Sequence, residues 1–261
     1  MSLQQTANHM RLDGKVAVVT GGAQGVGLGI AQEFVDYGAT VVIADVNEAA
    51  LKAAGAVLGP NVTTAVVDVT NLEQVRAMYA GILAAHGRLD AVVANVGAGD
   101  SNSVQAITEK QFDFVFGVNV KGVLFTVQPA IDLMTDGGTI VIIGSTASIQ
   151  PPTGMSLYGG AKAALRNMVR AWIQEVKGTG IRINVLSPGA VDTPSLRAAL
   201  ADASGADQVD ALVTKMGEGN PLGRLARPRE LGTAAVFLSS EASSFITGIE
   251  LFADGGLAQT G

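Results

Sequence analysis

The 261-residue chain contains no cysteine and only two histidines, His9 and His86. Disulfides and thiolate chemistry are thereby excluded, and a zinc site built from His and Cys has too few donors, so no metal is expected. The missing cysteine leaves the redox compartment open, a reducing cytosol being compatible with it. Basic residues are in deficit: 17 Lys and Arg against 23 Asp and Glu give a formal net charge of −6. No basic stripe is present, so nucleic acid is not an expected partner. Long apolar runs are missing too. VVIA (41–44) and TIVII (139–143) have strand length, far short of the roughly 20 residues of a membrane span. Residues 1–10 lack the charged and apolar regions of a signal peptide and read as a disordered tail. The expectation is a soluble, unexported, cytoplasmic protein that binds neither nucleic acid nor membrane.

What the chain does have is Ala, Gly and Val with little charge, a composition that suits a parallel sheet covered on both faces by helices. Strand patterns at 15–20, 40–44, 64–67, 91–95, 139–144, 182–186 and about 249–252 alternate with helical ones. The helices are expected at 26–37, 47–58, after an N-cap at Asn71 with Gln74 three residues on, from the Thr108/Gln111 capping-box pattern through Val127, and at about 157–176. Strand–helix alternation predicts an α/β fold with a doubly wound, mostly parallel sheet. No Pro- or Ser-rich linker divides it, so residues 11–261 form a single domain. The polar, poorly periodic segment 192–220 reads as a lid over a substrate pocket. Its Leu196, Leu200, Leu212, Val213 and Met216 fit either a partly apolar pocket or an amphipathic lid helix.

The turn after the first strand reads TGGAQGVG, with Gly21, Gly25 and Gly27 spaced as TGxxxGxG. Glycines there let the backbone approach a pyrophosphate closely. The following helix points its first amides, at Gln24, Val26 and their neighbours, toward that anion. Asp45 ends the second strand, where a carboxylate accepts from adenosine ribose hydroxyls and repels a 2′-phosphate. Gln24 and Val46 sit at the contacts where a cation for that phosphate would be needed, so NAD is expected over NADP; Asp45 acting only as a helix cap is the competing reading. Asp68 and Val69 are candidates for the adenine. The Asn95 to Gly97 segment is the candidate for passing beneath the ribose.

Tyr158 and Lys162 are spaced i,i+4 and share one helix face. A phenol with a reference pKa near 10 needs a shift of about 3 units to ionise at neutral pH. A nearby ammonium and a positive nicotinamide ring both favour that. The two glycines after the tyrosine, Gly159 and Gly160, would each cost up to ~1 kcal/mol in a helix interior, and suggest close backbone approach or nothing more. A serine-hydrolase reading fails because GxSxG is missing.

With these motifs, together with the Asn95 segment, GVNVKG around Asn119, IIGSTAS around Ser145 and SPGAVDT (187–193), the chain resembles the short-chain dehydrogenase/reductase family from Lys15 to about Gln259. The resemblance implies a Rossmann-like fold and an NAD-dependent oxidoreductase interconverting a secondary alcohol and its ketone. It implies that Tyr158 is the catalytic acid/base and that Ser145 hydrogen-bonds the substrate oxygen. Lys162 would bind the nicotinamide ribose and lower the tyrosine pKa, and Asn119 would hold a relay water. Pro188, Gly189, Val191 and Thr193 would line the nicotinamide side, and a homotetramer is the expected assembly. Family alternatives are a 3-oxoacyl-carrier-protein reductase and a sugar dehydrogenase. An alternative of another class is a non-catalytic nucleotide sensor or scaffold. Val96 departs from the family, which usually has a smaller residue there.

Overall fold

A computed structural model describes residues 9–99 and 101–260. Seven strands form one parallel sheet: β1 (Val16–Thr20), β2 (Thr40–Asp45), β3 (Val62–Val66), β4 (Ala91–Ala94), β5 (Gly138–Ile143), β6 (Ile181–Pro188) and β7 (Glu250–Ala253). Their order is β3-β2-β1-β4-β5-β6-β7. The chain winds outward in one direction from β1 and in the other from β4, so the loops leaving these two strands part at the middle of the sheet. Every residue of β1 and β4 is buried, which is why both read as uninterrupted apolar runs rather than alternating ones. The edge strand β3 instead exposes Thr63, Thr64 and Val66.

Two apolar cores lie on opposite faces. One packs α1 (Gly25–Asp36), α2 (Glu48–Leu58) and α8 (Pro228–Ser239) through Ile30, Phe34, Leu51, Ala235 and Leu238. The other packs α3 (Leu72–His86), α4 (Glu109–Leu133) and α5 (Ser156–Glu175) through Val75, Tyr79, Val127, Leu165 and Val169. By length and composition α4 could cross a membrane, with a mean hydropathy of 1.4 in its most apolar stretch. Its Val115, Val123, Val127 and Ala130 are buried against the rest of the protein, so it is a core-covering helix. No long apolar run announced it because Asn119, Lys121, Thr126 and Gln128 interrupt the sequence.

Several expectations shift. His9 and Met10, assigned to the tail, join the fold: the His9 carbonyl accepts from Ala242 N and Met10 packs on a core cluster. The tail reading for residues 1–8 lies outside the described residues. Asn71 does cap α3, its Oδ1 accepting from Glu73 N and Gln74 N, but Gln74 Oε1 accepts from Asp68 N rather than closing a box onto Asn71. The Thr108/Gln111 box forms as expected. The helix it opens continues past Val127 to Leu133, through a π turn at Gly117–Lys121. The segment 192–220 is not irregular: it holds α6 (Pro194–Ser204) and α7 (Val209–Glu218).

Helix α8 was not foreseen from sequence. It crosses α1 at a contact that only small residues allow. A Cβ on Gly29 would sit 2.5 Å from the Pro228 carbonyl carbon, and one on Gly232 would sit 2.6 Å from Gly29 O. Gly232→Ala is expected to destabilise the protein by about 2 kcal/mol through overpacking against backbone, read as a lowered urea midpoint with an unchanged m-value.

Candidate active site

A cleft of about 1560 Å³ opens along the carboxyl ends of the strands. Gly21, Gln24, Gly25, Val26, Gly27, Asp45, Val46, Asp68, Val69, Asn95, Gly97, Ser145, Tyr158, Lys162, Pro188, Gly189, Val191 and Thr193 all line it. Asn119 stands behind this wall. Gly21 and Gly25 have φ of 63° and 55°, left-handed values that favour glycine. A Cβ at Gly27 would overlap the Gly21 carbonyl. The side chains of Asn47, Asn71, Thr108 and Thr193 cap α2, α3, α4 and α6, whereas Gln24 offers α1 no side-chain cap. Its first amides and the positive end of its dipole therefore face the cleft, an arrangement that suits a pyrophosphate.

Asp45 is not the cap of α2; Asn47 is, with its Oδ1 accepting from Ala50 N at 3.0 Å. The Asp45 carboxylate instead accepts from Asn47 N at 3.1 Å and from Ala23 N at 3.4 Å. It is thereby fixed at the mouth of the cleft. Asp68 is held by Thr70, whose N and Oγ1 both donate to Asp68 Oδ1. Asn95 lines the cleft and also braces its base. Its Nδ2 donates to Thr20 O at 3.0 Å and Gly21 O at 3.1 Å, bracing the glycine turn, while its N donates to Thr20 Oγ1. Thr193 caps α6 through Leu196 N. Gly189 is demanded by packing, since a Cβ there would lie 3.0 Å from Asp254 Cβ.

At the inner end, Ser145 Oγ accepts from Ala147 N at 3.1 Å and shares the cleft wall with Tyr158. The nearby hydroxyl of Ser148 is occupied with Glu250, and of Ser145, Thr146 and Ser148 the cleft is lined by Ser145. Lys162 is fully buried, and its Nζ donates to Ile143 O at 2.8 Å. Burial pushes its pKa down to about 8. Nζ lies 5.6 Å from the centre of the Tyr158 ring, over the face of the ring. Burial raises the Tyr158 pKa, and the neighbouring Ser145 hydroxyl partly offsets that rise.

Asn119 lies within the π turn, where such distortions commonly aim a side chain. Its Nδ2 donates to Ala98 O at 2.6 Å and Val115 O at 2.8 Å, while its buried Oδ1 meets no donor among the described residues. A Cβ on Gly97 would lie 3.1 Å from that oxygen and 3.3 Å from Lys162 Nζ, so a side chain there would crowd both polar groups. The two glycines after Tyr158 divide: a Cβ on Gly159 would crowd Ala147 O at 2.7 Å, whereas Gly160 faces open space.

Sequence reasoning missed Gly99 and Met155, which flank the tyrosine. A Cβ on Gly99 would be 3.5 Å from Met155 Cε and 3.6 Å from Tyr158 Cδ2. The signal for Met155 was available, since a residue three before Tyr158 shares its helix face. Phe114, Lys121 and Leu124 of α4 were missed as well. Of Leu196, Leu200, Leu212, Val213 and Met216, only Leu196 reaches the cleft. Helices α6 and α7 are clasped by Arg197, which pairs with Asp192 and Asp210.

A sequence profile described as "Enoyl-(Acyl carrier protein) reductase" matches residues 21–258. The chain is 42% identical over 251 residues to oxidoreductase asL5 of Sarocladium schorii, covering 95% of this chain and 98% of that protein. It is 35% identical to the 3-oxoacyl-[acyl-carrier-protein] reductase FabG of Chlamydia muridarum, over 94% of this chain and 97% of that one. Among solved structures it resembles 3-ketoacyl-(acyl-carrier-protein) reductase from Brucella melitensis complexed with NADH. The TM-score is 0.84 at 29% identity, covering 95% of this chain and 99% of that one.

The buried ammonium makes a stability prediction. The Lys162 pKa of about 8 lies below its ordinary 10.5, so between those values the unfolded chain holds more protons and the wild type gains stability as pH rises. Below about pH 8 the full penalty, up to ~3 kcal/mol, is in force. Losing the bond to Ile143 O offsets ~1 kcal/mol of it. Lys162→Met is therefore expected to be more stable than wild type by about 2 kcal/mol at neutral pH, with the gap closing as pH approaches that of the free lysine. Urea unfolding at several pH values measures this.

Proposed function

The chain belongs to the short-chain dehydrogenase/reductase family, and from that premise we propose that it is an NAD-dependent oxidoreductase interconverting a secondary alcohol and its ketone. The observation that carries the reading is one cleft lined both by an uncapped glycine-rich helix start and by Ser145 and Tyr158, with the Lys162 ammonium over the tyrosine ring. Oxidoreductase chemistry on a nicotinamide nucleotide is common to the family; the substrate, the choice of nucleotide and the residue roles are the proposal.

The glycine turn and the start of α1 would hold the pyrophosphate, Asp45 the adenosine ribose, Asp68 and Val69 the adenine, and Lys162 the second ribose. Pro188, Gly189, Val191 and Thr193 would line the ring. When bound, the nucleotide supplies the hydride acceptor or donor, and in its oxidised form a positive ring. Tyr158 exchanges the proton of the substrate oxygen, as base toward the alcohol and as acid toward the ketone. Ser145 donates to the same oxygen and opposes its developing charge. Lys162 favours the phenolate electrostatically, and Asn119 Oδ1 accepts from a water that passes the proton outward. The fixed carboxylate of Asp45 disfavours a 2′-phosphate, which supports NAD over NADP. An enzyme of this kind works where the dinucleotide pool is, in the cytoplasm.

A 3-oxoacyl-carrier-protein reductase is the second reading, favoured by the similarity to FabG. The acidic balance of this chain counts against it, since an acidic carrier prefers a basic docking face. A homotetramer follows from the family resemblance, with α4 and α5 as one interface. The exposed Phe112 and Phe114 of α4 support that placement.

Assaying alcohols, small ketones and 3-oxoacyl thioesters with each nucleotide tests the reading. Turnover is expected with NAD or NADH on a secondary alcohol or ketone, and a preference for NADPH with thioesters would replace it. Tyr158→Phe is expected to lower kcat by about 10²–10⁴-fold while nucleotide binding persists; a fully active variant would refute the mechanism. Light scattering coupled to size exclusion is expected to give four times the 26.5 kDa chain mass.

A further inference from the structure

We propose that Glu250 is a positioning residue for this reaction, acting on Ser145 and Tyr158 from outside the cleft through Ser148, Ser187 and Arg166. The inference rests on the reading of the cleft given above. Glu250 opens β7 opposite Val185, and its side chain is only 9% exposed. Its Oε1 accepts from Ser187 Oγ at 2.7 Å and from Ser148 Oγ at 3.0 Å, and its Oε2 pairs with the Arg166 guanidinium. None of the four residues lines the cleft.

Each partner belongs to a segment that carries a cleft group. Ser148 closes the short turn begun by Ser145, its N donating to Ser145 O at 2.9 Å, so pinning Ser148 fixes where Ser145 Oγ points. Ser187 lies directly against Gly144, where any Cβ would overlap its hydroxyl, and precedes Pro188 on the ring side. Arg166 stands one turn beyond Lys162 and two beyond Tyr158 on the same face of α5. A single carboxylate thus sets the serine turn, the tyrosine helix and the end of β6 against one another. Packing alone does not call for it, because a buried carboxylate is costly unless fully paired and an apolar residue of similar size would serve the sheet as well.

Ser148→Ala cuts only the link to the Ser145 turn and leaves Glu250 paired with Ser187 and Arg166. Three readouts apply: kcat at saturating nucleotide, nucleotide Kd with the number of binding sites, and the ultraviolet titration of Tyr158 referenced to Tyr158→Phe. The titration does not depend on turnover. In Ser148→Ala, kcat is expected to fall about 10-fold, the size of effect a small misplacement of a reacting group produces. Nucleotide Kd is expected to stay within about two-fold, and the Tyr158 titration to move upward as the Ser145 hydroxyl loses its fixed place beside it. Arg166→Ala should behave alike, with Arg166→Lys recovering most of the loss. Unchanged kcat and titration in both alanine variants would overturn the proposal, as would a kcat loss matched by an equal loss of nucleotide sites. A wild type whose Tyr158 titrates and responds to Ser148→Ala, but which turns over no alcohol or ketone, would sink the proposed function and leave the positioning role standing.

Discussion

The amide of Asn95, bonded to the carbonyls of Thr20 and Gly21, ties together the two loops that part where the sheet changes its winding direction. Strands β1 and β4 run side by side there, and one chain end turns left while the other turns right. A crevice is the geometric result. The asparagine keeps that crevice from gaping at its base and holds the glycine turn in a shape that exposes helix amides. Neighbouring groups depend on this frame: Asp45 reaches back to Ala23 N, and Thr193 closes over Gly25.

The inner end of the crevice combines groups that disfavour folding. Lys162 is a buried cation hydrogen-bonded to a carbonyl, and Asn119 holds an oxygen that meets no donor among the described residues. Both are expensive by ordinary rules of burial. Their retention beside Tyr158 is what a site tuned for proton movement looks like. Glycines enforce the arrangement: at Gly97 and Gly159 a single methyl group would push the polar groups or the helix apart.

Much of this was legible in the sequence because it is written in local spacing. The alternating strands, the glycine turn, the capping box at Thr108 and the Tyr158–Lys162 pair each depend on residues within a few positions of one another. What escaped depends on partners far along the chain. Helix α8 begins at Pro228 after a Gly- and Pro-containing stretch, and its apolar face makes sense only against α1. The clasp of Arg197 on Asp192 and Asp210, which joins α6 to α7, spans 13 residues and has no local pattern to announce it. The bracing bond of Asn95 escaped as well, since nothing local says that its amide turns back to Gly21. The direction of the Tyr158 shift needed the actual depth of burial.

The packing of α8 onto α1 also governs how the polypeptide comes into being. Arg229 and Glu33, which join these helices, are 196 residues apart in sequence. Until residues 228–239 have been made, Ile30 and Phe34 lack the cover that α8 gives them. The packing of the nucleotide half is therefore completed only when a later-made segment returns across the sheet. Before that, α1 keeps part of its apolar face open, and such a face is a natural substrate for chaperones.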